Sequence, residues 1–385
     1  MILSLAMGAC PREEPPSATA AAQSLALDWT LIAAEVHPPP IDTAVVITLD
    51  GVRWQEIFQG VERDRAERAG LPATAVVPAS ELMPNLHWLA TTRGAALGAP
   101  NAGVIAASGP AFVSLPGYRE LFSGQASEDC LDNDCAAIAR PTLVDELAAR
   151  QRRLGDVAVF ASWPTVRRAA SAEPERVVLS AGRAATNHRA LVAATPELEA
   201  LLEAGDAASA RPGYGDYRPD AKTAALALAY LRHHEPRFLF LGLGDTDEYA
   251  HQDDYRGYLA ALREADRVIG EVAIQLAALS ARGTSTLLVV TTDHGRNHAF
   301  TEHGRAWPES SRIWLVAAGD PIAARGRVAS PRPRRLADVT ATLRALLPQR
   351  AELDARPDGS VLGELFVPPP PSALAFHSSP RPQSP

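Results

Sequence analysis

The stretch STLLVVTTDHG, residues 285–295, decides the architecture. Eight β-branched or apolar-rich residues run without alternation into Asp293, His294 and Gly295. A strand that is apolar on both faces belongs in the interior of a parallel sheet. Polar residues at its far end then lie on the carboxyl edge, where open α/β sheets place their ligand crevice. AVVITL (44–49) repeats the pattern and ends in Asp50 and Gly51. RFLFLGLG (237–244) repeats it again and leads into DTDEYAH (245–251). VAVFASW (157–163) and RIWLVAA (312–318) add two more strands. Helical patterns separate them at 143–150, 222–232, 255–279 and 336–347. Alternating strands and helices predict an α/β fold, a three-layer sandwich around a mostly parallel central sheet.

Composition sets the frame for that fold. The chain has 385 residues, 46% hydrophobic, with a formal net charge of −8. That is enough apolar material for a large core. An acidic chain without a basic stripe excludes sequence-specific nucleic-acid recognition. Lys222 is the single lysine, so the positive charge is almost all arginine. Residues 1–40 read as a signal or lipoprotein-like segment and linker, because MGAC (7–10) puts small residues before Cys10 and a Pro/Ser-rich stretch follows. On that reading Cys10 is a lipid-anchor site and the protein sits in the cell envelope or periplasm. The alternative is a disordered tail with a chance cysteine. The main folded domain is expected over 41–350, with a small helical insertion at about 170–218. Beyond it, 351–385 is a C-terminal extension ending in a Pro/Ser-rich tail. Cys130 and Cys135, five apart in CLDNDC, could close a disulfide in an oxidising compartment or stay reduced in the cytosol.

The chemistry-bearing residues collect at the strand ends. Asp247 and His251 are four apart, a spacing that puts both side chains on one face of a helical turn. Asp293 and His294 are adjacent after a strand, and Asp50 and His303 complete a set of carboxylates and imidazoles suited to divalent ions. Each taken singly reads as a cap, a turn former or a hydrogen-bonded core group; their shared placement at one sheet edge favours metal. SLPGY (114–118) follows an apolar stretch and precedes a helical pattern, so Ser114 falls at a helix N-terminus, where an anionic phosphate binds.

With these motifs, from about Asp42 to Leu347, the chain resembles the alkaline phosphatase superfamily, nearest to type I phosphodiesterase/nucleotide pyrophosphatase-like metalloenzymes. The resemblance implies two divalent ions, with Zn²⁺ expected and Mn²⁺ or Fe able to occupy such sites. Carried over, Asp50, Ser114, Asp293 and His294 form one site, and Asp247, His251 and His303 the other. Ser114 is the implied nucleophile and Asn133 the best match to a phosphate-contacting asparagine. DVTAT (338–342) resembles the superfamily's last helix. The implied activity is hydrolysis of phosphate monoesters or diesters, small or polymeric. Asp245 and His298 have no matched role, although Asp245 could stand behind a ligand. The alternatives are a sulfatase or phosphonate hydrolase on the same scaffold, or a silent envelope-tethered metal-binding protein. A sulfatase signature, Cys/Ser-x-Pro-x-Arg, fits Ser114 and Pro116 but meets Tyr118 where the arginine belongs, with Arg119 one residue late.

Overall fold

The structure is a computed structural model that describes residues 38–183, 195–203, 212–330, 332–347 and 359–366. All of them fall within one compact unit. Cys10 and the segment before residue 38 lie outside the described residues, as does the Pro/Ser-rich tail. No described helix is long and apolar enough to cross a membrane.

Ten strands are described: β1 (Thr43–Leu49), β2 (Gly94–Leu97), β3 (Ile105–Ala106), β4 (Val157–Ala161), β5 (Val178–Ala181), β6 (Phe238–Leu243), β7 (Thr286–Thr291), β8 (Leu315–Gly319), β9 (Gly326–Arg327) and β10 (Arg334–Arg335). Eight of them form one sheet in the order β5-β4-β6-β1-β7-β8-β2-β9, and β10 pairs with β3 separately. Strands β5, β4, β6, β1 and β7 are mutually parallel, while β8 runs antiparallel to both β7 and β2. The five apolar runs expected from sequence all form strands of this sheet. Three strands of this sheet were not expected, nor was the separate β3–β10 pair. β2 is Gly94-Ala-Ala-Leu97, small and weakly β-forming. β9 is two residues long. β5 lies inside the segment expected to be a helical insertion, and it pairs in parallel with β4 as the sheet edge. That insertion is therefore partly an extension of the sheet. Its remaining described pieces include the helix Pro196–Glu203.

Helices cover both faces, as side-chain alternation requires. Leu239 and Leu241 of β6 share one apolar cluster with residues of α2 (Asp220–His234) and α4 (Tyr255–Ser280). Phe240, between them, points the other way and meets Tyr118 and Phe122 of α1 (Ser114–Ser123), with ring centroids 6.1 and 4.6 Å away. On that same face Leu287 and Val289 of β7 line a small cavity with Val339 and Leu343 of α5 (Ala337–Leu346). Three layers result.

Glu120 fastens α1 to this layer. Its buried carboxyl accepts from the Ser108 amide at 2.8 Å, the Ser108 hydroxyl at 2.6 Å and the Ala337 amide at 3.0 Å. Burial raises its pKa above the ordinary 4.5, and those donors only partly offset it. A carboxyl whose folded pKa is raised holds its proton more readily folded than unfolded. It therefore costs stability as pH rises above about 4.5 through the folded value. Glu120→Gln is expected to remove this slope. Urea denaturation of both proteins across mildly acidic to neutral pH checks it, and parallel stability curves would disprove it.

Candidate metal centre

Sheet register brings the site together. Thr48 of β1 pairs with Thr291 of β7, so Asp50 and Asp293, each two residues further, end side by side. Leu49 pairs with Leu243 of β6, which delivers α3 (Asp245–His251) to the same edge. Thr246 ties α3 to β1 by donating to the Asp50 carbonyl at 2.7 Å. Gly51, at φ +61°, leaves room for α3: a Cβ there would sit 2.2 Å from Asp247 Oδ1.

Two trios of ligand-type atoms are gathered within 4.8 Å: Asp50, Asp293 and His294, and Asp247, His294 and His303. In the first, Asp50, Asp293 and His294 are all buried. Ser114 Oγ stands 3.2 Å from His294 Nε2 and 3.4 Å from Asp50 Oδ1. Tyr118, one helical turn on, donates to Asp50 Oδ2 at 3.0 Å. Asp293 Oδ1 accepts from the Gly51 amide at 3.2 Å, whereas Asp293 Oδ2 is buried with no hydrogen-bond partner. Burial, then the neighbouring Asp50 carboxylate, pushes the Asp293 pKa well above the carboxylate range. Burial would lower the His294 pKa, but Asp293, Asp50 and Asp247 outweigh it and raise it to about 9. The His294 Nδ1 donates to the Gly295 carbonyl at 2.8 Å, so Nε2 is the nitrogen aimed at the cluster, and it would offer a lone pair once an ion displaced its proton. An orphaned buried carboxylate oxygen, a second carboxylate and an imidazole lone pair fit a divalent cation.

In the second trio, His303 Nε2 lies 3.8 Å from Asp247 Oδ1, and its ring stacks on His294 at 4.0 Å between centroids. Burial, then His294, holds the His303 pKa well below the ordinary histidine range. His251 belongs to neither trio, although its Nε2 lies 3.1 Å from Asp247 Oδ2 and 3.0 Å from His303 Nε2. Sequence reasoning missed Arg296, which follows the Asp-His-Gly turn directly and ion-pairs with Asp247 Oδ1. Burial would raise the Asp247 pKa, but Arg296, His303 and His251 hold it well below the usual range.

The remaining candidates are accounted for in turn. Asn133 Oδ1 accepts from the Leu115 amide at 2.9 Å, which puts it beside the first turn of α1. It sits in the loop closed by a Cys130–Cys135 disulfide. Asp245 and Asp220 cap one another's helices. Asp220 accepts from the Gly244 and Asp245 amides at 2.8 and 2.9 Å, and Asp245 accepts from the Asp220 amide at 3.3 Å. Tyr217 bonds both carboxyls. Asp245 thus fixes the start of the helix that carries Asp247. His298 is exposed, and its carbonyl serves Arg65. Arg119 turns away from Ser114 to Asp129 at 3.3 Å and to the Ala136 carbonyl at 2.5 Å.

Comparison with known proteins follows this geometry. A family model described as the Metalloenzyme superfamily matches residues 209–346, a segment holding Asp247, His251, Asp293, His294 and His303. Phosphopentomutase of Alkaliphilus metalliredigens is 31% identical over 123 residues, 31% of this chain and 28% of that protein. The match thus spans well under a third of this curated relative. A mutant of the alkaline phosphatase PafA superposes with a TM-score of 0.53 at 11% identity, covering 86% of this chain and 99% of the other. Phosphonate monoester hydrolase of Agrobacterium radiobacter gives 0.51 at 14% identity, covering 84% and 77%. At such identities these likenesses show the fold. The segment 209–346 is thus similar to the Metalloenzyme superfamily, and the described α/β fold is similar to that of an alkaline phosphatase.

Gly117 lets α1 approach the Asp293 backbone closely. A Cβ there would lie 2.6 Å from the Asp293 carbonyl oxygen. Gly117→Ala is expected to push α1 and Ser114 off β7, costing about 1–3 kcal/mol as overpacking does. Chemical denaturation measures this. Unchanged stability together with unchanged Zn²⁺ affinity would refute the close approach.

Proposed function

We propose that this chain is a metal-dependent hydrolase of phosphate esters with Ser114 as nucleophile. The observation that carries the reading is the position of Ser114 Oγ. It lies at the N-terminus of a ten-residue helix, 3.2 Å from His294 Nε2 and 3.4 Å from Asp50 Oδ1. A divalent ion held by Asp50, Asp293 and His294 would favour the Ser114 alkoxide and offset charge on the phosphoryl oxygens. Ser114 Oγ forms a bond to phosphorus while the bond to the leaving alcohol oxygen breaks, and that oxygen takes up a proton. Water then cleaves the phosphoseryl ester, releasing phosphate or a monoester and restoring the hydroxyl. The α1 N-terminus adds partial positive charge toward the phosphoryl group. Tyr118 and the Asp220–Asp245 caps keep Asp50 and α3 in place, so little reorganisation accompanies reaction. Asn133, partnered with the Leu115 amide, stands where it can contact a phosphoryl oxygen.

A serine hydroxyl used as such is favoured over a matured formylglycine. Tyr118 holds the position of the sulfatase arginine and serves Asp50, and Arg119 serves the 129–136 loop. Substrates are small-molecule or polymeric phosphate esters, and the expected ion is Zn²⁺. The disulfide at Cys130–Cys135 supports an oxidising compartment, in keeping with an exported, envelope-tethered protein.

Ser114→Ala is expected to lower turnover of aryl phosphate esters by at least about a thousandfold, as loss of a covalent nucleophile does. Elemental analysis should find its bound metal unchanged. Near-normal turnover in that variant would remove Ser114 from the mechanism. A panel of aryl phosphate monoester, phosphate diester, phosphonate and sulfate substrates tests the ester class. Faster turnover of sulfate than of either phosphate would replace this reading with a sulfatase.

A further inference from the structure

The two trios differ in charge compensation. The ion pairs described for Asp50 and Asp293 are both with His294 Nε2, at 3.4 and 3.5 Å, a site whose proton an ion can displace; their described hydrogen-bond donors are neutral, and Asp293 Oδ2 has no hydrogen bond. Asp247 faces a guanidinium instead. The Arg296 side chain is fully buried. Its Nε donates to the Phe300 carbonyl, its Nη1 to Asp247 Oδ1 and its Nη2 to the Thr301 carbonyl at 2.8 Å. The guanidinium also lies 5.9 Å from the Phe300 ring centroid. Backbone acceptors on one side and Asp247 on the other lock this cation in place.

Arg296 also dictates what His251 can do. A guanidinium only donates, so His251 Nδ1, 3.4 Å from Nη2, is the acceptor. The His251 proton then sits on Nε2, where it is donated to Asp247 Oδ2 at 3.1 Å or His303 Nε2 at 3.0 Å. His303 agrees with this assignment. Its Nδ1 faces the Phe112 carbonyl at 3.2 Å and must donate, which leaves its Nε2 as acceptor. The array is satisfied as hydrogen bonds, and a protonated Nε2 is no metal ligand. His294 is arranged the opposite way: its Nδ1 faces a carbonyl and its Nε2 faces the two carboxylates of the first trio, where an ion could take the place of its proton.

We infer that Arg296 is a resident cation that stands in for a second ion, so that the chain retains one divalent ion at Asp50, Asp293 and His294, and that His251 is a hydrogen-bonding partner rather than a ligand. This rests on the reading that the first trio holds an ion. Arg296 is thereby a positioning residue for Asp247 and a source of fixed positive charge at the second trio.

The test is ion stoichiometry. The full chain is saturated with Zn²⁺, dialysed against metal-free buffer and measured by plasma mass spectrometry. Wild type is expected to keep about one Zn²⁺ per chain, and Asp293→Asn to lose it. His251→Ala, whose side chain is 42% exposed and so tolerant of truncation, should keep the wild-type content and Zn²⁺ affinity. Arg296→Gln should gain a second, calorimetrically resolved Zn²⁺, since Asp247 is then left without its cation. If that variant does not fold, His251→Ala decides alone. Two ions in wild type, loss of an ion in His251→Ala, or a folded Arg296→Gln that still holds a single ion each overturns the inference. A wild-type chain that retains no ion overturns the metal-dependent reading itself.

Discussion

Two buried carboxylates stand side by side at the end of the central strands, and the rest of the site answers to that fact. Asp50 and Asp293 cannot both be ionised in a dry interior without a nearby positive charge. The protein supplies neutral donors to three of their four oxygens and leaves Asp293 Oδ2 without a hydrogen bond, with only His294 Nε2 at 3.5 Å beside it. A cation held by this pair and His294 would relieve the repulsion and would lie next to the Ser114 hydroxyl. Electrostatic tension in the site and the proposed chemistry thus have one origin.

The surrounding architecture exists to hold that pair in register. Parallel pairing of β1 with β7 sets Asp50 against Asp293, and pairing of β1 with β6 sets α3 beside them. Glycine at 117 lets α1 close on the Asp293 backbone, which places Ser114. The reciprocal caps of Asp220 and Asp245 fix the angle at which α3 leaves the sheet. None of these groups need touch substrate. Each limits the freedom of one that would, so the catalytic geometry is assembled at folding and not at binding.

Asymmetry between the two trios follows from one side chain. Arg296 neutralises Asp247 with a permanent cation and turns His251 toward hydrogen bonding, whereas among the described residues the Asp50–Asp293 pair faces only His294, which can give up its proton. Two clusters with similar residue types therefore have different electrostatic needs. Metal content is set by what else lies within a few ångströms of each carboxylate, more than by how many carboxylates and imidazoles are available.

Much of the protein was legible in the chain itself. Apolar runs fixed the five main strands because a buried parallel strand must be apolar on both faces, and the polar residues that end them could go only to the sheet's carboxyl edge. That is why Asp50, Asp247, Asp293 and His294 could be grouped from sequence, while Ser114 joined them only through the family resemblance. Strand β5 was not legible, because an edge strand of four residues in an Ala/Glu/Arg-rich segment has no distinctive period. The role of Asp245 was hidden because its partner, Asp220, begins a different helix. Arg296 was hidden although it adjoins the Asp-His-Gly turn: an arginine is nearly always solvated, and nothing local says that this one turns inward to meet Asp247 from another strand end. The sequence determined which residue types arrive at the edge, since hydrophobic periodicity is a local property. Which of them pair, which nitrogen carries a proton and which carboxylate lacks a cation were decided by tertiary structure, because those depend on distances between segments that only folding brings together.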